Sequence, residues 1–325
     1  MKQFKWGIIG LGRIAHKFAQ DISSSKQMKI HAVASSSMER AQEFARLYGA
    51  PQAFGTYEEI VDADIDAVYI ATPHVGHCEN TLMCLYAGIP VLCEKPFAMN
   101  AEEVDKMISL AQEKEVFLME ALWTRFLPQT KKILEFIEGG LIGDVLSVKA
   151  DFGFNPPFDP DKRLFNPKLG GGSLLDIGLY PMFLSLLILG KPNRIKAMAT
   201  FAETGVDIDC GILLGYEGNR TAHLHSTFLA KTKTEAFIYG SLGTIHIQSR
   251  WHEPSWFSVI DEEGRTHNYH FECNHNGYLY EAEEVMQCVN KEMFESELMP
   301  LSFSSDLMDL LDAVREEAQI HYPLK

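Results

Sequence analysis

Lys5-Trp6-Gly7-Ile8-Ile9-Gly10-Leu11-Gly12-Arg13-Ile14-Ala15 decides how the first third of the chain folds. An apolar run ends in two glycines one residue apart, and helix-compatible residues follow. The segment therefore reads as a buried strand, a tight turn and a helix. Gly10 permits the turn, Gly12 lets backbone come close to a bound group, and Ala15 lets the helix lie against the sheet. The first amides of such a helix have no partner within it, which makes its start an anion site. Gly10, Gly12, Arg13 and Ile14 are the residues this pattern aims at a dinucleotide. A plain strand-to-helix corner is the alternative, and the flanking strand and helix favour the nucleotide.

Working outward, apolar strands at Trp6–Ile9, Ile30–Ala34, Ala67–Ala71, Pro90–Cys93 and Val116–Met119 alternate with helical stretches. The helices are expected from Ile14 and over Met38–Tyr48, Val75–Ala87 and Ala101–Lys114. This alternation predicts βαβ units and a doubly wound parallel sheet, an α/β domain. After Trp123 the texture changes. A helix (Pro128–Glu138), a strand (Val145–Phe152) and a loop rich in Pro, Asp and aromatics (Phe154–Pro167) lead to Gly170-Gly171-Gly172, which opens a helix at Ser173. Alternating strands from Ile195 to about His270 predict a large, mainly antiparallel sheet whose exposed face meets water or another subunit. Helices at Tyr278–Asn290 and Ser305–Gln319 complete an α+β domain.

A chain of 325 residues fits two domains better than one. Its net charge of −15, from 29 basic and 44 acidic side chains, argues against nucleic acid and against an anionic membrane surface as partners. A small anionic cofactor needs only one helix start and an arginine or two. The six cysteines, Cys78, Cys84, Cys93, Cys210, Cys273 and Cys288, form no CxxC and read as reduced thiols of a cytoplasmic protein. No stretch of about 18 apolar residues is evident, so no membrane span is expected.

Four further constellations could carry chemistry. Ala34-Ser35-Ser36-Ser37 ends the second strand with no acid to bind a ribose 2′-hydroxyl. With Arg40 nearby, Ser35, Ser36 and Ser37 favour NADP over NAD, although the serines could simply cap the next helix. Thr72-Pro73-His74 and His77 lie at the carboxyl end of one strand, and Glu94-Lys95-Pro96 at that of another, where ligands of open α/β sheets bind. Asp176 and Tyr180, four apart, share one face of the Gly-rich helix as an acid–base pair, while Pro181 should loosen that turn. Ser173 and Asp176 also fit a capping box. His223, His225, His267, His270, Cys273 and His275 match no zinc spacing, and no metal is expected.

On these motifs the chain resembles the Gfo/Idh/MocA oxidoreductases, and within them the dihydrodiol and NADP-dependent aldose dehydrogenase branch. Met119-Glu120-Ala121-Leu122-Trp123-Thr124-Arg125-Phe126, Glu203-Thr204-Gly205-Val206-Asp207 and Tyr280-Glu281-Ala282 add to the likeness. The resemblance implies a Rossmann domain at 1–122 with a C-terminal helix at about 303–320 returning to it. It also implies a substrate-binding and dimerisation domain at 123–302, a homodimer or higher oligomer, and a cis Lys95–Pro96 bond. NADP, with NAD possible, is the implied cofactor, and a sugar, polyol or vicinal diol the implied substrate. Lys95, Asp176 and Tyr180 carry over as the catalytic group, Tyr180 standing where many members have His. Trp123 and Arg125 are expected near cofactor and substrate, with Phe154 and Phe158 as further substrate-pocket walls, although each of the four could equally be inter-domain packing. Lys149 and Phe201 stand where the dihydrodiol branch carries arginines. The rival reading is a non-catalytic NAD(P)-sensing protein of the same fold, against which the presence of Lys95, Asp176 and Tyr180 weighs.

Overall fold

In the computed structural model, which describes residues 3–322, six parallel strands form the first sheet. These are β1 (Phe4–Ile9), β2 (Met28–Ala34), β3 (Gln52–Phe54), β4 (Ala67–Ile70), β5 (Val91–Glu94) and β6 (Leu118–Ala121), in the order β3-β2-β1-β4-β5-β6. The order reverses between β1 and β4, and the ends of those two strands flank the crevice where an open α/β sheet binds ligands. Four helices connect the strands: α1 (Arg13–Ser24), α2 (Met38–Tyr48), α3 (His77–Tyr86) and α4 (Ala101–Lys114). Phe18 of α1 stacks on Tyr69 of β4 at 3.9 Å and meets Trp6 edge-on at 5.1 Å, so one aromatic column locks helix to sheet.

The second sheet has eight strands in the order β14-β13-β12-β11-β7-β10-β9-β8. They are β7 (Val145–Gly153), β8 (Arg194–Phe201), β9 (Asp207–Gly215), β10 (Thr221–Thr227), β11 (Ala236–Gly240), β12 (Gly243–Ile247), β13 (Phe257–Asp261) and β14 (Thr266–Tyr269). Every pairing is antiparallel except β7 with β10. Along β9 the residues alternate, Cys210, Ile212 and Leu214 buried against Gly211 and Leu213 exposed. One face therefore packs on helices, among them α6 (Leu179–Leu189), and the other is open. α5 (Pro128–Glu138) precedes this sheet, and α7 (Leu279–Asn290) and α8 (Leu301–Glu317) follow it.

Three expectations need revision. The chain divides into one unit of residues 1–126 and 273–305 and another of 127–272 and 306–325, whereas the sequence put the boundary after 122 and returned the last helix to the first unit. The segment that joins the first unit is 273–305. Its α7 is capped from a distance: buried Asp21 of α1 accepts hydrogen bonds from the amides of Asn276, Tyr278 and Leu279. Second, the short strand β3 escaped notice, because three half-buried residues carry no periodicity. Third, the helical stretch Pro167–Leu189 is long and apolar enough to cross a bilayer, against the expectation of none. Its apolar window is 89% buried within the protein, as in a core helix, and α6 is apolar all round because protein surrounds it.

Candidate active site

The first unit supplies a cradle at the end of β1. Gly10 has φ +86°, and a Cβ there would lie 2.6 Å from the Thr72 amide nitrogen, so only glycine fits between β1 and β4. Gly12 differs. Its Cβ would meet nothing within 4 Å, no side chain caps α1, and no acid sits in that helix's first turn. Bare amides at a helix start facing open space suit an anionic diphosphate. A dinucleotide therefore fits these residues, with Arg13 and Ile14 forming the first turn of α1.

At the end of β2, Ser37 caps α2 by accepting from the Arg40 amide at 3.4 Å, so the helix-cap reading holds for that serine. Buried Ser35 accepts from the Ser37 amide at 3.3 Å and shapes the turn. Exposed Ser36 pairs with the Arg40 guanidinium at 2.9 Å. The hydroxyl and cation expected beside a ribose 2′-phosphate are thus together at the strand end, with no acid among Ser35–Ser37.

The next two strands end in buried polar groups. Thr72 and His74 are buried, and the His77 ring bridges the carbonyls of Thr72 (3.0 Å) and Pro96 (2.8 Å). The sequence pointed His77 at the cofactor; the structure shows it joining two strand-end turns. The Lys95–Pro96 bond is cis. Glu94 is buried, accepting from the Tyr69 hydroxyl and from the Lys95 amide at 3.1 Å. Burial, reinforced by the Glu94 charge, pushes the Tyr69 phenol well above its ordinary range. Trp123 is buried and stacks on Tyr278 at 4.5 Å, and Arg125 lies two residues on in the same 3₁₀ turn.

In the second unit the predicted capping box is absent. Leu174–Gly178 forms a π-helical turn leading into α6, and the Ser173 hydroxyl does not cap it. Buried Asp207 caps it from β9, accepting from the Leu174 amide (2.7 Å), the Ser173 hydroxyl (2.9 Å) and the Tyr322 hydroxyl (3.2 Å). A chain sequence cannot advertise a cap that comes from 33 residues away. The π turn is the loosening expected ahead of Pro181, and such turns recur at functional sites. Two of the three glycines are explained by packing. Gly171 lies against the backbone of Arg163, Leu164 and Asn166, and Gly172 (φ +125°) against Asp207.

Asp176 and Tyr180, on this turn and α6, are each at most 6% exposed. Arg163, which the sequence reading missed as one more loop cation, grips Asp176 with two hydrogen bonds of 2.9 and 3.3 Å. That pair fixes the carboxylate and sets it apart from a free base. Tyr180 packs near Phe152 (5.8 Å) and buried His252 (5.0 Å), and His252 stacks on Phe152 at 4.1 Å. Of the expected walls, Phe154 joins the cluster of Phe165, Ile177, Val206 and Phe228, whereas Phe158 is half exposed and touches Phe165. Among the described residues no group of three or more His, Cys, Asp or Glu side chains could hold a metal ion.

Known proteins resemble this chain in sequence and in fold. Residues 4–122 match the profile of the Gfo/Idh/MocA oxidoreductase family, with its NAD-binding Rossmann fold, and residues 130–246 match the family's C-terminal domain. Trans-1,2-dihydrobenzene-1,2-diol dehydrogenase of Xenopus laevis is 38% identical over 98% of this chain and 99% of its own. The enzyme of that name from Homo sapiens is 34% identical over 98% of each. Among solved structures, an aldose-aldose oxidoreductase from Caulobacter crescentus aligns with a TM-score of 0.88 at 22% identity, covering 98% of each chain. A 3-ketoreductase from Actinomadura kijaniata, in complex with NADP and TDP-benzene, aligns at 0.87 and 24%, also covering 98% of each. The glycine cradle, the mixed second sheet and two full-length sequence matches converge: the chain belongs to the Gfo/Idh/MocA family and is an NAD(P)-dependent oxidoreductase acting on CH–OH groups.

Proposed function

We propose that the chain interconverts a carbinol and a carbonyl on a vicinal diol or sugar, with NADP preferred over NAD. The observation that carries the reading is the pairing of an open glycine cradle in one unit with a buried, Arg-clamped Asp176 beside Tyr180 in the other. The full-length likeness to enzymes named trans-1,2-dihydrobenzene-1,2-diol dehydrogenase supports the diol class, and the aldose-aldose oxidoreductase among the structural neighbours supports sugars. Gly10, Gly12, Arg13 and Ile14 would hold the diphosphate, and Ser36 with Arg40 the 2′-phosphate. The bound nicotinamide supplies the two-electron acceptor.

The chain's own task is the proton. As a carbinol is oxidised, its hydroxyl proton needs an acceptor, and Tyr180 Oη takes it in this scheme. An ordinary phenol, with a pKa of about 10, is a weak base at neutral pH. The family resemblance gives Lys95 the part of the cation that makes a phenolate accessible, and Asp176, held by Arg163, orients the substrate hydroxyl. Lys95 Nζ is the alternative acceptor.

The test is nicotinamide absorbance with a panel of aldoses and trans-diols, run with both cofactors and repeated in Tyr180→Phe. That variant keeps the ring packing, so cofactor affinity should persist while the rate falls by about 10²–10⁴. A Tyr180→Phe protein with most of its rate and an unchanged pH profile would make Tyr180 a pocket wall. Tight NADP binding without turnover on any polyol would favour the sensor reading.

We further propose a homodimer through the open face of the second sheet, where Met198 (79% exposed), Leu213 and Tyr239 leave apolar surface uncovered. Sedimentation of Met198→Glu against the unaltered protein tests it. The six unpaired cysteines support a cytoplasmic setting.

A further inference from the structure

Three buried side chains from three elements pin the backbone that carries Lys95. The Lys95 amide donates to Glu94 Oε2 of β5 (3.1 Å), and the Pro96 carbonyl lies 2.8 Å from the His77 ring of α3. The Phe97 amide donates to Glu120 Oε1 of β6 at 3.1 Å. Glu94 and His77 were expected near the cofactor, but nothing assigns Glu120. It is 1% exposed in a strand interior, where leucine or methionine would avoid the desolvation of a carboxyl group.

We propose that Glu120 is a positioning residue for Lys95: it fixes the Lys95–Phe97 turn through the Phe97 amide, and its charge holds the Lys95 ammonium in place. The inference rests on reading Lys95 as the cation of the catalytic group. The groups facing the Glu120 carboxyl are Glu94 at the end of β5, Lys95 and the Phe97 amide in the turn, and the Ser304 hydroxyl of α8. Neither Glu120 Oε2 nor Ser304 Oγ completes a hydrogen bond of normal geometry, so Ser304 is a neighbour of the carboxyl and Phe97 its hydrogen-bond donor. Burial dominates, opposed by the Ser304 hydroxyl and the Phe97 amide. Glu94 adds to the rise and Lys95 opposes it, which leaves the carboxyl pushed up to about 7. Only the ionised form offers Lys95 a counter-charge and Phe97 a charge-assisted bond. The shell therefore loosens as pH falls through the neutral range.

Two measurements test this. In the first, Lys95 is labelled with an amine-specific reagent at about pH 8 and followed by peptide mass spectrometry, with no substrate present. Glu120→Gln should label Lys95 roughly three- to tenfold faster than the unaltered protein, because the turn loses its charge-assisted anchor at the Phe97 amide and opens more often. In the second, turnover of the unaltered protein should fall below pH ~7. Glu120→Gln should lose that limb and run at a plateau about tenfold lower, with NADP affinity changed by less than about threefold. Glu120→Asp keeps a charge on a shorter arm, so it should retain the limb while its plateau drops; it also serves if Glu120→Gln does not fold. Unchanged Lys95 labelling in a folded Glu120→Gln protein overturns the inference whatever the rates. Absence of turnover in the unaltered protein would instead overturn the functional reading, leaving the labelling result to stand by itself.

Discussion

The chain contains two glycine-rich turns, each opening a helix, and they use the missing side chain in opposite ways. At Gly12 an added Cβ would project into open space, with nothing within 4 Å. At Gly171 it would lie 2.7 Å from the Arg163 carbonyl oxygen, and at Gly172 it would collide with Asp207. The first turn keeps room for something that is not chain; the second has already filled the room with chain. A glycine run does not announce which case it is. The deciding evidence is what occupies the volume a methyl group would take.

That contrast can be broken by substitution. Gly172→Ala should have the largest effect, on the order of 4 kcal/mol of stability, from overpacking and a backbone angle that alanine resists. Thermal unfolding reads it directly, and a melting temperature within a degree or two of the unaltered protein would erase the distinction. Gly12→Val should leave unfolding unchanged yet weaken NADP by roughly hundredfold, because the branched side chain takes the space of the diphosphate. Isothermal titration should show the loss; full affinity in a folded protein would refute the cradle. Asp207→Ala sharpens the second turn. It strips the acceptor from Leu174, Ser173 and Tyr322 and should cost about 1–3 kcal/mol with little change in NADP affinity. Arg40→Ala should have the smallest effect, weakening NADP by about tenfold and NAD by less than about threefold. Equal losses would place Arg40 in the fold of the β2–α2 turn, outside cofactor choice.

Much of the first unit could be read from residue order, since its strands are short continuous apolar runs and its glycine turn is local. The contacts that could not be read are distant in sequence. Asp21 caps α7 across 257 positions, and Asp207 caps the π turn across 33. Local pattern rules look for a cap within three residues and assigned Ser173 to a task that Asp207 performs. Arg163 was overlooked because Lys162-Arg163 in a polar loop looks solvated; only folding sets its guanidinium on Asp176. One usable clue was present. Asp21 shares the buried stripe of α1 with Phe18 and Ile22, and Glu120 sits inside an apolar strand. An acid at a core position of a periodic pattern marks a group that is needed for its hydrogen bonds.

The discontinuity of both units bears on synthesis and on recombination. A growing polypeptide cannot close its nucleotide-binding unit when Phe126 is made, because residues 273–305 belong to that unit and Asp21 awaits the start of α7. The unit must wait, partly assembled, while the second sheet is translated, which departs from the usual order in which an N-terminal domain completes itself first. For the same reason no single crossover can exchange cofactor binding between relatives. A hybrid joined near residue 126 sets Asp21 against a foreign α7, so a productive exchange carries 273–305 along as a second, unlinked segment.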